Sequence, residues 1–320
     1  MIRPRLRPLW CGVLVTATVV GGVACTASRV PPPDQPVFVG SSASPAVPST
    51  SATAPGAVPT ASGMPQGNPT PTVPTPTVPT PTVAAVPGAT RVGTRAPVVD
   101  HGPRTGNKVA LTFDADMTDA MLASLRAGRV KSYANLRILD LLEREQVPAT
   151  FFLTGKWVQR YPDVTRRIAG NPRFELANHT YGHAAFTANC YDLPRLPVDE
   201  LAGDVAKTFA VIEPYGGRQT RYFRFPGLCH DAAALDALAP LGVTVVDGDV
   251  VSGDPFATAW KPLVRAVLDH VRPGSVVIMH VTEANAAMTD EALPHILAGL
   301  RERGLVPAPL SEVLAGSPVS

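Results

Sequence analysis

Two histidines four residues apart, His179 and His183, close the run Asn-His-Thr-Tyr-Gly-His at 178–183. Two neutral imidazoles and one carboxylate, with a fourth position open, make a catalytic zinc-type site. A cation held that way lowers the pKa of its water towards neutrality. A second carboxylate can then take the remaining proton, and a separate histidine can protonate a leaving group. The chain offers Asp114 and Asp116 in Asp-Ala-Asp, a further acid at Asp254, and His280. Together these groups describe metal-assisted hydrolysis of an ester or amide. Each of them has a plainer reading. A His-x-x-x-His pair turns up by chance, a single His is more often structural, and an Asp after a strand is often a cap or turn residue.

The elements around these residues weigh against the plainer readings. Short apolar runs mark strands at Val109–Phe113, Thr150–Leu153, Phe174–Ala177, Tyr222–Phe225, Val243–Val246, Val276–Met279 and Leu305–Pro307. Helical stretches alternate with them at Tyr133–Arg144, Lys156–Ala169, Val198–Ile212, Ala232–Leu241, Trp260–Val271 and Asp290–Arg303. In the first of these, Leu136, Ile138, Leu139, Leu141 and Leu142 cluster on one side at helical spacing. This alternation is that of an α/β fold with a parallel sheet. About seven units fit a barrel or incomplete barrel better than a small open sheet, and such folds collect their chemistry at the C-terminal strand ends. Five of the seven strands end in ionisable groups: Asp114 and Asp116; His179 and His183; Arg224, followed by Pro226 and Gly227; Asp247, Asp249 and Asp254; and His280. Five such ends on one rim would be a coincidence unless the rim is functional.

The remaining third of the chain is of another kind. The 320 residues include 35 Pro, more than one in ten, against a usual share of roughly 5%. Proline cannot be spread through helices and strands. It gathers between Thr26 and about Pro103, where Pro-Thr-Pro-Thr-Val repeats at Pro69–Val73, Pro74–Val78 and Pro79–Val83. A segment so poor in large apolar groups cannot offset its ordering entropy, so residues 25–107 are expected to form a disordered, extended linker or stalk. Ahead of it, Arg3, Arg5 and Arg7 precede an apolar stretch from Leu9 to Ala24, shorter than a membrane span requires. Residues 1–24 therefore read as an export signal. Gly22-Val23-Ala24-Cys25 resembles a lipoprotein cleavage box, with Cys25 as the lipidated residue, and equally suits an ordinary signal peptidase. Removing the three leader arginines takes the net charge from +2 to −1, which excludes a nucleic-acid-binding character. Export permits disulfides. Cys190 and Cys229 each follow a strand end on the same rim, so a bridge between them is expected.

The motifs carry a resemblance. Leu-Thr-Phe-Asp at 111–114, the Asn-His run at 178–183, Phe-Arg-Phe-Pro-Gly at 223–227 and Ile-Met-His at 278–280 are similar to those of the polysaccharide deacetylases, the NodB-homology carbohydrate esterases. The resemblance spans about Lys108 to Leu314 and implies a distorted (β/α) barrel over residues 108–320. It implies Asp114 as base, Arg224 as the residue orienting it, and His179 and His183 as metal ligands. It further implies Gly227, with Pro226 beside it, at the oxyanion position, His280 as general acid, and Asp254 as the carboxylate that keeps His280 protonated.

Three positions depart from the family pattern. Ala115 stands where the family has its third metal ligand. Gly227 stands where it has a tyrosine, and Pro255, followed by Phe256, where it has a tryptophan. Asp114 cannot easily serve as both base and ligand. Asp116 is therefore the expected third ligand, on the reasoning that the chain leaves the strand there and residues two apart can converge, with Met117 packing behind; the plainer reading is that Asp116 only caps the following helix. The segment Met117–Asn135 is longer than the family's link at this point.

The expected function is a metal-dependent hydrolase, with zinc as the cation, that removes acetyl groups from a carbohydrate polymer. Peptidoglycan N-acetyl groups come first, because the stalk and anchor would keep the domain at the cell wall. Chitooligosaccharide and acetyl-xylan deacetylation are alternatives, as is a carbohydrate-binding relative without turnover. The expected setting is an exported, monomeric protein at the cell surface, meeting membrane only through a lipid anchor.

Overall fold

The computed structural model describes residues 86–90 and 93–317. The expected leader, Cys25 and the Pro-Thr repeats lie outside the described residues. Among those described, no helix is long and apolar enough to cross a membrane.

Among the described residues nine strands form one sheet, with every paired neighbour parallel. They are β1 (Val98–Val99), β2 (Lys108–Ala115), β3 (Ala149–Leu153), β4 (Phe174–Asn178), β5 (Arg218–Phe223), β6 (Thr244–Val246), β7 (Val250–Val251), β8 (Val276–His280) and β9 (Val306–Pro307). The order across the sheet is β1-β6-β5-β4-β3-β2-β8-β7, with β9 also paired to β2. No described pairing joins β1 to β7, so the sheet curls into a half-barrel and the expected barrel is left open. The helices are α1 (Asp119–Arg126), α2 (Leu136–Arg144), α3 (Gly155–Arg160), α4 (Pro162–Gly170), α5 (Leu201–Ile212), α6 (Ala232–Leu238), α7 (Trp260–Leu268), α8 (Thr289–Glu302) and the short α9 (Leu310–Val313).

Strand alternation divides β2 between two faces. Leu111, Phe113 and Ala115 join the core formed with α2, α7 and α8, which includes Ile138, Leu142, Val267 and Ile296. Ala110 belongs to a smaller inner cluster with Phe152, Val246 and Leu310. Fully burying a side chain such as Leu or Ile is worth about 1.5–3 kcal/mol, so α2 alone contributes several. Its apolar side matches the expected one except at Leu136, which is exposed beside the Asn135 cap. The inner cluster fills the half-barrel from the N-terminal strand ends. There α9 docks through Leu310, and the fully buried Glu175 accepts hydrogen bonds from Arg218 Nη2 at 2.8 Å and from the Ser311 N–H at 3.1 Å. Only the opposite rim remains free for chemistry.

The elements differ from expectation in four places. Folded structure begins ahead of Lys108: β1 pairs Val98 and Val99 with Val245 and Val246, so the stretch just before β2 is part of the sheet rather than linker. Further upstream, Pro87 accepts a hydrogen bond from the Arg221 N–H at 2.6 Å. The expected helix Lys156–Ala169 is two helices. Pro162 lacks an N–H and takes the first position of α4, which breaks the chain at Tyr161. The segment Met117–Asn135 contains α1, capped by Thr118, whose hydroxyl accepts from the Met121 N–H at 3.1 Å. Finally, β7 intervenes between β6 and Asp254, and Asp249 lies in the short link between the two strands. Asp249 turns back to the start of β8, accepting from the Val276 N–H at 2.8 Å and from Arg104 at 2.7 Å.

Candidate metal centre and hydrolytic site

Asp114 and Asp116 point the same way because they are two residues apart on an extended segment. β2 runs through Ala115, and alternation sends Ala115 into the helix-facing core while both acids face inward. The expected reason for their convergence, an early departure from the strand, is thus corrected: strict alternation does it. Met117, next in line, is fully buried in that same core, and Thr118 rather than Asp116 caps α1.

His179 and His183 come from the turn after β4. Asn178 shapes this turn, donating to the Val205 carbonyl at 2.9 Å and accepting from the Thr180 N–H at 3.0 Å. Thr180 and His183 both take left-handed backbone angles, φ 68° and 56°. The carbonyls of Thr180 and Tyr181 accept from the Gly155 and Lys156 N–H groups, using donors that the first turn of α3 leaves unpaired. Gly155 is needed here, since a Cβ would lie 2.3 Å from the Tyr181 ring.

The result is a buried triad of Asp116, His179 and His183, whose ligand atoms all lie within 4.8 Å of one another. Asp116 Oδ1 is 3.3 Å from His183 Nε2 and 3.5 Å from His179 Nε2. It is buried with no hydrogen-bond partner, as an oxygen reserved for a cation would be. His179 Nδ1 lies 2.9 Å from the Arg224 carbonyl, so Nδ1 carries the proton and Nε2 is left as the donor atom facing the triad. Burial lowers the His183 pKa to about 4, against the pull of Asp116, which keeps that imidazole neutral and able to ligate. Burial alone would raise the Asp116 carboxyl, but His183, His280 and His179 outweigh it and hold the group below the usual carboxylate range. The donor set fits a divalent cation of the zinc type.

Asp114 stands apart from this triad. Its Oδ2 is 3.8 Å from His179 Nε2, while Oδ1 accepts from Arg224 Nη1 at 2.6 Å. Arg224 is completely buried, stacked 3.9 Å over the Phe152 ring and donating also to Thr112 Oγ1 and the Val246 carbonyl. On the other side, the register of β2 against β8 sets His280 beside Asp114. His280 Nδ1 is 2.8 Å from Asp254 Oδ1, and its Nε2 is 3.7 Å from Asp116 Oδ2. Burial would lower the His280 pKa, yet Asp254 first and Asp116 next raise it to about 10.

Asp254 is itself fixed by two residues absent from the sequence reading, Ser252 (2.9 Å) and Thr289 (2.7 Å). Distance along the chain hid Thr289, which is 35 residues away.

A cavity of about 320 Å³ opens over these groups, lined by Asp114, Asp116, His179, His183, Gly227 and His280 among others. Pro226 is buried and outside that lining. Asp247 is also outside it, its Oδ2 lying 2.9 Å from His230 Nε2. Cys190 and Cys229 are joined in a disulfide beside the cavity, their Cα atoms 6.0 Å apart.

Residues 101–246 match the family pattern described as polysaccharide deacetylase. Over that segment the chain is similar to the polysaccharide deacetylase family. A peptidoglycan-N-acetylglucosamine deacetylase of Bacillus cereus is 28% identical over 204 residues, covering 63% of this chain and 66% of the relative. A chitooligosaccharide deacetylase of Bradyrhizobium is 28% identical over 188 residues, covering 55% and 82%. The chain spans about half to two thirds of the length of the first curated relatives it matches. Among solved structures, a peptidoglycan N-acetylglucosamine deacetylase in complex with an N-oxidanyl-benzamide superposes with TM-score 0.56 at 25% identity, covering 69% of this chain and 94% of the other.

Proposed function

We propose that the chain is a metal-dependent hydrolase that removes acetyl groups from a carbohydrate polymer, with the N-acetyl groups of peptidoglycan as its substrate. The observation that carries the reading is Asp116 Oδ1, buried without a hydrogen bond between two imidazole donors, with a separately anchored carboxylate at Asp114 and a histidine at His280 on either side. Asp116, His179 and His183 would hold a divalent cation, zinc on this donor set, which when bound supplies Lewis-acid polarisation of the acetyl carbonyl and of a water. Asp114, held and aimed by Arg224, takes the proton from the attacking water. Gly227 lines the cavity where an N–H can face the developing oxyanion. His280, held as imidazolium by Asp254, gives its proton to the departing nitrogen or oxygen.

The peptidoglycan preference rests on the named activity of the Bacillus cereus relative and on the leader, Cys25 and proline-rich segment, which would keep an exported domain near the wall. The Cys190–Cys229 disulfide suits an oxidising compartment. The test is acetate release from peptidoglycan, chitooligosaccharides and acetylated xylan, before and after chelation and with divalent ion added back. Release confined to xylan would shift the substrate. Ala115 favours a second reading, a carbohydrate-binding protein without turnover; metal-loaded protein that releases no acetate from any of the three would establish it.

A further inference from the structure

Two large aromatic side chains stand in solvent at the mouth of the cavity. Tyr191 is 69% exposed and Phe256 77%, and their ring centroids lie 6.2 Å apart with the planes tilted by 35°. They come from unrelated loops, 65 positions apart, and both line the cavity over the Asp-His-His triad. Single exposed apolar residues are ordinary, but two rings converging on one opening are not scattered.

The loop carrying Tyr191 is held in place at some cost. Asn189, Tyr191 and Asp192 all have left-handed backbone angles, φ 61°, 49° and 56°, which Asn and Asp tolerate but a tyrosine seldom adopts. Strain of this kind persists only where the surroundings impose it. Here the restraints are the disulfide from Cys190 to Cys229, the Leu193 N–H to Cys190 carbonyl bond at 2.9 Å, and a bridge of Ala185 to Arg195 at the loop's base. Gly227 completes the arrangement, because a Cβ there would lie 2.8 Å from both Cys190 Sγ and the Tyr191 ring. The missing side chain at 227 is the space Tyr191 uses.

We propose that Tyr191 and Phe256 form an aromatic clamp, a tilted pair that together packs on one face of a pyranose ring of the polymer and sets its acetyl group over the triad, with the Cys190–Cys229 disulfide positioning Tyr191. Pyranose rings present flat C–H faces that pack on aromatic rings, while their hydroxyls stay in water at an open mouth of this kind. The clamp deepens the proposed function by naming the substrate unit, and so rests on that reading for its catalytic meaning. Recognition itself is separable from turnover.

The test measures both on the full chain. Binding of N-acetylglucosamine tetramer and xylotetraose is followed by calorimetry, and acetate release is assayed in parallel. Tyr191→Ala and Phe256→Ala each weaken tetramer binding about tenfold or more, as truncation of an aromatic anchor does. Tyr191→Phe, which keeps the ring, binds like wild type. Both side chains are exposed, so folding is spared. Cys190→Ser combined with Cys229→Ser weakens binding as Tyr191→Ala does; unchanged affinity would remove the disulfide from the proposal. Alanine variants that bind like wild type overturn the clamp, as does a wild-type protein that binds neither tetramer. A wild type that binds tetramer but releases no acetate from peptidoglycan, chitooligosaccharides or acetylated xylan refutes the deacetylase reading and leaves the clamp to be judged by the binding data.

Discussion

Replacing Asp116 with alanine separates the ligand from the base. Asp116 supplies the single anionic donor of the triad, with Oδ1 at 3.3 and 3.5 Å from the two imidazole nitrogens and otherwise unbonded. Loss of a partner outside the ligand shell typically costs 10–100-fold in metal affinity, so loss of a ligand reaches at least the upper end: about 100-fold, or about 2.7 kcal/mol. Two histidines remain, and excess divalent ion should restore part of the activity. Asp114→Asn should behave differently. Its Oδ1 is engaged by Arg224 and its Oδ2 is 3.8 Å from the nearest imidazole nitrogen, so the variant should keep its metal and lose turnover by about 10²–10⁴-fold, the usual contribution of a general base. Competition with a chromogenic chelator gives the affinities, and acetate release at saturating ion gives the rates. An Asp116→Ala protein that binds metal like wild type refutes the assignment. So does an Asp114→Asn protein that loses its metal.

Three other outcomes are expected. Arg224→Leu leaves the buried Asp114 carboxylate unpaired and should destabilise the fold by about 3–5 kcal/mol in urea; a change under 1 kcal/mol would mean the pair is not structural. Asp254→Asn withdraws the largest contribution raising the His280 pKa, so the alkaline limb of kcat/KM should move to lower pH, and an unmoved limb would remove His280 as the acid. In metal-free protein, native His183 takes its proton near pH 4 but the unfolded chain near 6.5, so the unfolded state binds more protons in that window. The melting temperature should fall as pH drops from 6.5 towards 4, and His183→Gln should flatten that slope.

The site was more legible in the sequence than the architecture around it. Asp114, the histidine pair, Arg224 and His280 each close an apolar strand, and parallel strands must bring such ends together. Asp116 followed from what the cation would lack, although alternation along β2, rather than an early turn, is what aims it. Residues that act through long separations were hidden: Thr289 on Asp254, and Tyr191 over Gly227. Strands β1 and β7 have two residues each, too few for any periodicity to show. The break at Tyr161 could have been read from Pro162 alone.

Arg224 serves both halves of the proposed chemistry. Its carbonyl orients His179, its guanidinium holds Asp114, and its own N–H is tied to the Asn178 carbonyl at the head of the histidine turn. Base and ligand are therefore referenced to the backbone and side chain of one rigid, fully buried residue. When the strands breathe, a shift of β5 carries the carboxylate and the imidazole together, and much of it cancels in the distance between them. Rates can depend steeply on displacements near 1 Å. Sharing one mount lets the two groups keep their spacing even while the half-barrel, open between β1 and β7, flexes as a whole.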